Sequence, residues 1–509
     1  MGGPKGTAAR TPRIARVGTG VPGLDDVLCG GLLRGGVNLV VGPPGAGKTV
    51  LAAQIAFKHA ASGGRVVFVT ILTEPHGRMV EHLRGMDFFE ERAVGDAVYF
   101  VSAYRELEKT GLPGLLELLR SAVRERHASL LVVDGAAVLT TMATTRAEVQ
   151  KFTHELSAFL EPAGCTGIVL STGDSSLAEQ AMVEAIVVLQ VRAVATRSLR
   201  ELQVTKLRGS EVLEGAHHYW IRSDGVSVFP RTEALAARAA AARGGAEGEV
   251  SSDPRRLAFG IDALDEMLRG GLPSMTGTTL LGAPGTGKTL LGCAFLSAGA
   301  EHGERGLYFG FFEPPARLIA KLDGIGLPFR RHHDAGALAI VWQPPVERLL
   351  DSLAERLLDA VERSRATRVV IDGIDGFRNV APDPERLPGF LIGLTSELRG
   401  LGATTVVTGE TDLYRAELAV PLQGLSAAMD NVILLEYGDP RTGARRSVSV
   451  VKVRDSAHDD TPRGFGITDA GIHVAPSPGR ARAVRASRVP AAGRRLETPG
   501  RRPLGKGRR

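Results

Sequence analysis

The sequence predicts an α/β protein built from two tandem units, each a mostly parallel sheet flanked by helices. Two observations carry that prediction. The segment Gly42-Pro-Pro-Gly-Ala-Gly-Lys48-Thr49 returns 240 residues later as Gly282-Ala-Pro-Gly-Thr-Gly-Lys288-Thr289. Around both copies, short apolar runs alternate with longer helical stretches, the pattern of strands buried on both faces and covered by helices. A chain of 509 residues is long enough for more than one hydrophobic core.

The repeat extends beyond the loops. Upstream of the first, Gly20-Val-Pro-Gly-Leu24-Asp25 precedes Gly30-Gly31-Leu32, and upstream of the second, Gly260-Ile-Asp-Ala-Leu264-Asp265 precedes Gly270-Gly271-Leu272. Downstream, an apolar run closes on Asp134-Gly135 in one unit and on Asp372-Gly373 in the other, 86 and 84 residues past the lysines. Lys206-Leu-Arg208 and Lys452-Val-Arg454 follow at 158 and 164 residues. Markers in the same order at matching offsets identify an internal duplication.

Within the first unit, Val37 to Val41, Val66 to Val69, Leu130 to Val133 and Ile168 to Leu170 read as buried strands, while Thr49 to Ala61 and Gly114 to His127 read as helices. Leu280-Leu281, Gly306 to Phe311, Val369 to Ile371 and Thr404 to Thr408 are the strands of the second. Alanine-rich Glu233 to Arg243 favours a helix, and Gly244-Gly245 and Ser251-Ser252 break it. The expected organisation is a disordered basic N-terminus over 1–15, a first domain over 16–235, a linker over 236–254, a second domain over 255–475 and a disordered Arg-rich tail over 476–509.

Charge separates the ends from the body. The net +6 combines +10 in residues 476–509 and +4 in residues 1–16 with −8 in residues 17–475. Charge-driven binding of nucleic acid, an acidic membrane or an acidic partner therefore rests on the tails, which lack aromatics for base stacking, so nucleic acid is not the favoured partner. Three scattered cysteines without a CxxC pair indicate neither a disulfide framework nor a zinc ribbon. No apolar run has the length of a membrane span and residues 1–16 lack the apolar core of a secretory signal, so a cytoplasmic location is expected.

Both loops match GxxxxGK[ST] after an apolar strand and before a helix, the context that makes the motif a phosphate site. Gly42, Gly45 and Gly47, and Gly282, Gly285 and Gly287, allow backbone N–H groups to turn inward around phosphate oxygens, with the helix N-terminus adding its dipole. Lys48 and Lys288 are the candidate contacts to the terminal phosphates of ATP. The Thr49 and Thr289 hydroxyls, with Asp134 and Asp372 at strand ends, are the candidate Mg2+ side of each site. Hydrolysis also needs a group to orient the attacking water, and Glu74 and Glu313, each before a proline after the second strand, stand in comparable places. A solvated turn residue is the alternative for both.

The ordered set of Gly-x-x-x-Leu-Asp, Gly-Gly-Leu, P loop, strand-end glutamate, strand-end aspartate and late Lys-x-Arg resembles the two-domain KaiC-like ATPases of the RecA-like branch, over about residues 16–476. The resemblance implies two tandem RecA-like P-loop domains and a homo-oligomer, a double-ring hexamer with ATP between neighbours. It also implies ATP hydrolysis and, in the clock protein of that family, autophosphorylation of the second domain. It assigns catalysis to Glu313 with Lys288, while Glu74 falls one place later than the family's adjacent glutamates. It assigns trans-acting phosphate contacts to Lys206 and Arg208, and to Lys452, Arg454 and His458; Val212 replaces the histidine in the first unit. Of the family's phosphorylated Ser-Thr pair one hydroxyl remains, Ser426 beside Ala427. The expected role is an ATPase with a candidate serine/threonine autokinase activity, acting in regulation through an unidentified protein partner. A DNA-dependent motor and a nucleotide-locked scaffold are the alternatives.

Overall fold

Six parallel strands form the body of each sheet, and three antiparallel strands extend one edge. The computed structural model describes residues 15–71, 76–172, 182–243, 255–346, 348–411, 428–438 and 446–477. In the first unit the parallel order is Val98–Ser102, Val66–Thr70, Leu130–Asp134, Thr166–Ser171, Val37–Val41 and Ala185–Val194. Arg197–Leu207, His217–Arg222 and Gly225–Phe229 then continue antiparallel. The second unit repeats the order with Leu338–Trp342, Gly306–Gly310, Arg368–Asp372, Thr404–Glu410, Gly277–Gly282 and Asn431–Tyr437, followed by antiparallel Arg446–Val453, Arg463–Thr468 and Gly471–Val474. The duplication read from the sequence is a duplication of topology.

Alternate residues of the central strands supply two cores per unit. Leu130 and Val132 face Ala52, Ala53 and Phe57 of the helix Lys48–Ala61, while Leu131 and Val133 face Leu115 and Leu119 of the helix Tyr104–Arg126. Val370 and Val406 lie with Leu291 and Phe295, while Ile371 and Val407 lie with Leu394 and Leu398. Each such side chain contributes roughly 1.5–3 kcal/mol by leaving water. Because both sheet faces are covered, the open ground for a ligand is the carboxyl end of the parallel strands.

The opening motif serves the fold. Asp25 accepts the backbone N–H and hydroxyl of Thr19 at 2.9 and 2.8 Å, and Asp265 accepts the N–H groups of Phe259 and Ile261 at 2.7 and 3.1 Å. The second glycine of each Gly-Gly pair passes a backbone carbonyl: a Cβ on Gly31 would lie 2.4 Å from Val17 O, and one on Gly271 2.3 Å from Leu257 O.

The two units are joined by an ionic cluster whose centre, around Asp351, is buried. A helix forms over Thr232–Ala242 and docks on the second unit's helix Leu387–Gly400, where Gly393 leaves room for the backbone of Glu233. Asp351, at the start of Leu350–Ser364, accepts the Thr232 backbone N–H and hydroxyl, both at 3.0 Å, so the second unit satisfies a free N–H of the first unit's helix. Arg386 donates to Asp351 at 3.1 Å and to Glu233 at 2.9 Å. Arg192 pairs with Asp383 through both guanidinium nitrogens at 3.0 and 2.8 Å. His218, buried, places its ring nitrogens 3.9 Å from Asp351 and 3.6 Å from Glu201.

Burial alone would raise the Asp351 carboxyl, but His218, Arg386 and the Thr232 N–H outweigh it and hold it below the ordinary range. Burial likewise works against Glu233, and Arg386 holds it down. Hydrogen bonding to Arg192 lowers Asp383. A carboxylate with a depressed folded pKa stabilises the fold above its unfolded value, near 4, and that contribution is lost as the pH falls through the folded value. The docked state is therefore expected to hold above about pH 5 and loosen below about pH 4, read as earlier thermal melting across a pH 3–7 series. Arg386→Ala strands a buried carboxylate and should cost about 3–5 kcal/mol at neutral pH, measured by denaturant unfolding.

Candidate functional site

Each P loop sits at the carboxyl end of the central strand of its sheet, between Val37–Val41 and Lys48–Ala61 in the first unit and between Gly277–Gly282 and Lys288–Glu301 in the second. Gly45 and Gly47 have φ of 79° and 93°, and Gly285 and Gly287 have φ of 77° and 108°, the left-handed region that turns successive N–H groups to one side. Gly42 and Gly282 are needed for space, since a Cβ there would lie 2.6 Å from Leu189 O and 2.4 Å from Leu435 O. A tyrosine hydroxyl from elsewhere in the sheet ties each loop down: Tyr219 donates to Ala46 O at 2.5 Å and Tyr437 to Pro284 O at 2.8 Å.

The lysines fold over their own loops. Lys48 Nζ donates to the carbonyls of Gly42 and Pro43 at 2.7 and 3.0 Å, and Lys288 Nζ to those of Gly282 and Ala283 at the same distances. Burial lowers the pKa of both, against the nearby carboxylates Asp134 in the first unit and Glu410, Asp372 and Asp375 in the second.

The predicted hydroxyl–carboxylate pairs form in both units. Thr49 Oγ1 donates to Asp134 Oδ2 at 2.8 Å, and Thr289 Oγ1 lies 3.1 and 3.0 Å from the two oxygens of Asp372. A threonine that directs its proton to the carboxylate keeps its oxygen lone pairs for a cation. Such oxygen-only donors suit Mg2+, which takes one or two protein oxygens and fills the rest of its shell with phosphate and water. Asp372 has two further donors: Tyr308 Oη at 2.6 Å from Oδ2, which sequence reading missed, and Thr408 Oγ1 at 2.7 Å from Oδ1. Burial and the adjoining carboxylate raise the Tyr308 pKa far above the ordinary phenol, so it stays a donor.

In the second unit the predicted groups share one cavity of about 790 Å³. Gly285, Gly287, Lys288, Thr289 and Asp372 line it, and Glu313 lines it with them. Glu313 is fixed by Lys321 Nζ at 2.7 Å, a partner on the helix Pro315–Asp323 that the motif did not reveal. Phe312 occupies the other family glutamate position and lies over Gly373. Arg446, Glu410, Asp375, Thr408 and Lys321 add to the polar lining. Glu74 and Ser426 lie outside the described residues, as do both basic tails beyond residues 15 and 477.

The Lys-x-Arg sets lie away from their own loops. Arg446–Val453 runs antiparallel to Asn431–Tyr437, so Lys452 pairs with Val432 near the amino end of the parallel strands, while Gly282 pairs with Leu435 at the loop end. Three residues of strand, roughly 10 Å, separate the two rows. Lys206 stands opposite Ile186 in the same way. Lys452 Nζ donates to Met429 O at 3.1 Å, Arg454 lies 3.3 Å from Asp430 and Arg208 lies 3.4 Å from Glu184. Burial and Arg208 lower the pKa of Lys206. His458 Nδ1 lies 3.4 Å from Ser456 O. The segment after each Lys-x-Arg is tethered: Arg16 donates to Gly31 O and the Ser210 hydroxyl, and Arg256 to Gly271 O and the Ser456 hydroxyl. Buried His218 belongs to the domain junction, while buried His217 is held within the first unit by Leu213 O and the Arg231 N–H; among the described residues no group of three or more His, Cys, Asp or Glu could hold a metal.

A family model described as ATPase: KaiC matches residues 17–233 and again 257–479, most of the chain. The chain belongs to the KaiC ATPase family. It is similar to the circadian clock protein KaiC3 of Synechocystis sp., at 26% identity over 480 residues covering 91% of this chain and 92% of that one. The circadian clock oscillator protein KaiC of Picosynechococcus sp. is 25% identical over 479 residues, covering 91% and 90%, and that of Parathermosynechococcus lividus is 27% identical over 484 residues, covering 91% and 85%. As a KaiC-family chain it is an ATP-binding protein with two RecA-like P-loop domains. Among the described residues no helix is long and apolar enough to cross a membrane.

Gly287→Ala tests the loop as a built phosphate cradle. The new Cβ would meet Ile467 Cδ1 at 2.7 Å on a backbone at φ 108°. The variant is expected to bind a fluorescent ATP analogue about 5- to 150-fold more weakly in the second unit, the strain of about 1–3 kcal/mol falling on the ligand-ready conformation.

Proposed function

We propose that this KaiC-family chain is a regulatory Mg·ATPase that assembles as a ring, in which the second unit hydrolyses ATP and the first unit chiefly holds nucleotide for assembly. The observation that carries the reading is the convergence of Lys288, Thr289, Asp372 and Glu313 on one cavity. Mg2+, which Thr289 and Asp372 would hold, would supply neutralisation of the phosphate charge. Glu313 would orient the attacking water and take its proton as the new P–O bond forms. The bridging P–O bond then breaks, releasing ADP and phosphate. Lys288 stabilises charge on the transferring group, and the loop N–H groups hold the rest of the phosphate chain.

The far-end location of Lys452 and Arg454, with His458 following them in the chain, supports a role across a subunit boundary, because a cation at the amino end of the strands is badly placed for its own loop. Lys206 and Arg208 would serve the first unit alike. A hexamer is the assembly the family resemblance suggests, with a cytoplasmic location and an unidentified regulatory protein as partner. Ser426 is the residue a single-site autokinase activity would modify.

Lys288→Ala and Lys48→Ala test the division of labour. The first is expected to lower ATP turnover by about 10²- to 10³-fold, the second to turn over nearly normally per assembled ring while shifting sedimentation toward monomer in Mg·ATP. Equal losses of turnover would sink the assignment. Glu313→Gln should retain nucleotide and lose about 10²- to 10⁴-fold in kcat, and unchanged kcat would remove Glu313 from the chemistry.

A further inference from the structure

We propose that Tyr308 and Thr408 are positioning residues that hold the Asp372 carboxylate for the metal side of the second unit's site, through a slot that Gly310 provides. The inference rests on the reading of that cavity as a Mg·ATP site and goes on to say what aligns its carboxylate.

The geometry is specific. Arg368–Asp372 lies between Gly306–Gly310 and Thr404–Glu410, so one neighbour can reach Asp372 from each side. Tyr308 pairs with Val370 and Gly310 with Asp372, which puts Tyr308 and Asp372 on one face of the sheet, two residues apart along the strand. The phenol spans that distance by crossing the place where a side chain at 310 would stand. A Cβ on Gly310 would lie 2.4 Å from Tyr308 Cε1 and 2.8 Å from its hydroxyl oxygen. On the other side Thr408 both donates to Asp372 and accepts the Gly373 N–H at 2.8 Å, so its hydroxyl cannot rotate without losing a bond. Tyr308 and Thr408 are 1% and 2% exposed, and water does not compete for either contact.

Each carboxylate oxygen therefore has one hydroxyl from a neighbouring strand and shares the Thr289 hydroxyl. A carboxylate held on both oxygens keeps one orientation, and the Thr289 proton stays pointed at it. The Thr289 lone pairs are then aimed before the cation arrives, the purpose of an outer layer of contacts at a metal site. The duplicate unit shows that the fold does not require these residues. Phe68, Thr70 and Leu170 occupy the positions of Tyr308, Gly310 and Thr408 in the same strands of the same sheet order. Tyrosine and glycine occur together where the slot is used, and phenylalanine and threonine where it is not.

Mn2+ binding to the full chain in saturating ADP, followed by electron paramagnetic resonance, tests the clamp apart from turnover. Tyr308→Phe and Thr408→Val together are expected to weaken one of two Mn2+ classes by about tenfold and leave the other unchanged. ADP affinity in EDTA should stay within about twofold, and kcat should fall while KM for ATP holds. Thr408→Ser, which keeps the hydroxyl, is expected to retain parental metal affinity. Unchanged Mn2+ binding in the double variant would overturn the proposal, and so would a loss in Thr408→Ser equal to that in Thr408→Val, which would make the role one of packing. Parental protein that binds ADP but no Mn2+ would instead overturn the reading of the cavity as a Mg·ATP site, and the clamp with it.

Discussion

A threonine hydroxyl on a loop and an aspartate at the end of a neighbouring strand meet in each unit, and most of the architecture around them serves to make that meeting occur. The threonine is placed by the left-handed glycines before it and by the helix it begins. The aspartate is placed by strands buried on both faces, whose alternate side chains tie the sheet to helices above and below. Neither half is useful alone. A loop without the carboxylate binds phosphate but leaves the hydroxyl undirected, and a carboxylate without the loop has no threonine hydroxyl to direct.

How much of this was legible in the sequence follows from how far apart the cooperating residues lie. The P loops are local, and their glycines, lysines and threonines can be read from one short window. The aspartates and the Lys-x-Arg pairs are distant, yet they were legible because the chain carries its own comparison, and the second copy reproduces the offsets of the first. Tyr308 was hidden by that same comparison, since it drew attention to what the copies share. Tyr308 also sits in the apolar run Gly306 to Phe311, where an aromatic reads as core. Its polar use depends on which strand lies next to it, and sheet order is not written in any local pattern.

The domain junction was the least legible part. Composition did suggest a helix near Glu233, and one forms over Thr232–Ala242. Nothing in that stretch announces that its first N–H would be received by Asp351, 119 residues away, or that Glu233 would meet Arg386 at a separation of 153. Asp351 and Arg386 each resemble an ordinary charged position on a helix surface, and only the packing of one unit on the other takes them out of water.

The route from Asp372 to the junction is short. The chain leaves that strand, makes the helix Asp375–Val380, and within fourteen residues reaches both Asp383, gripped by Arg192, and Arg386, gripped by Glu233 and Asp351. A segment fastened so closely at both ends behaves as a stiff lever with little slack to absorb a displacement. A displacement of that strand end would therefore be either resisted by the first domain or passed on to it through one short span of backbone.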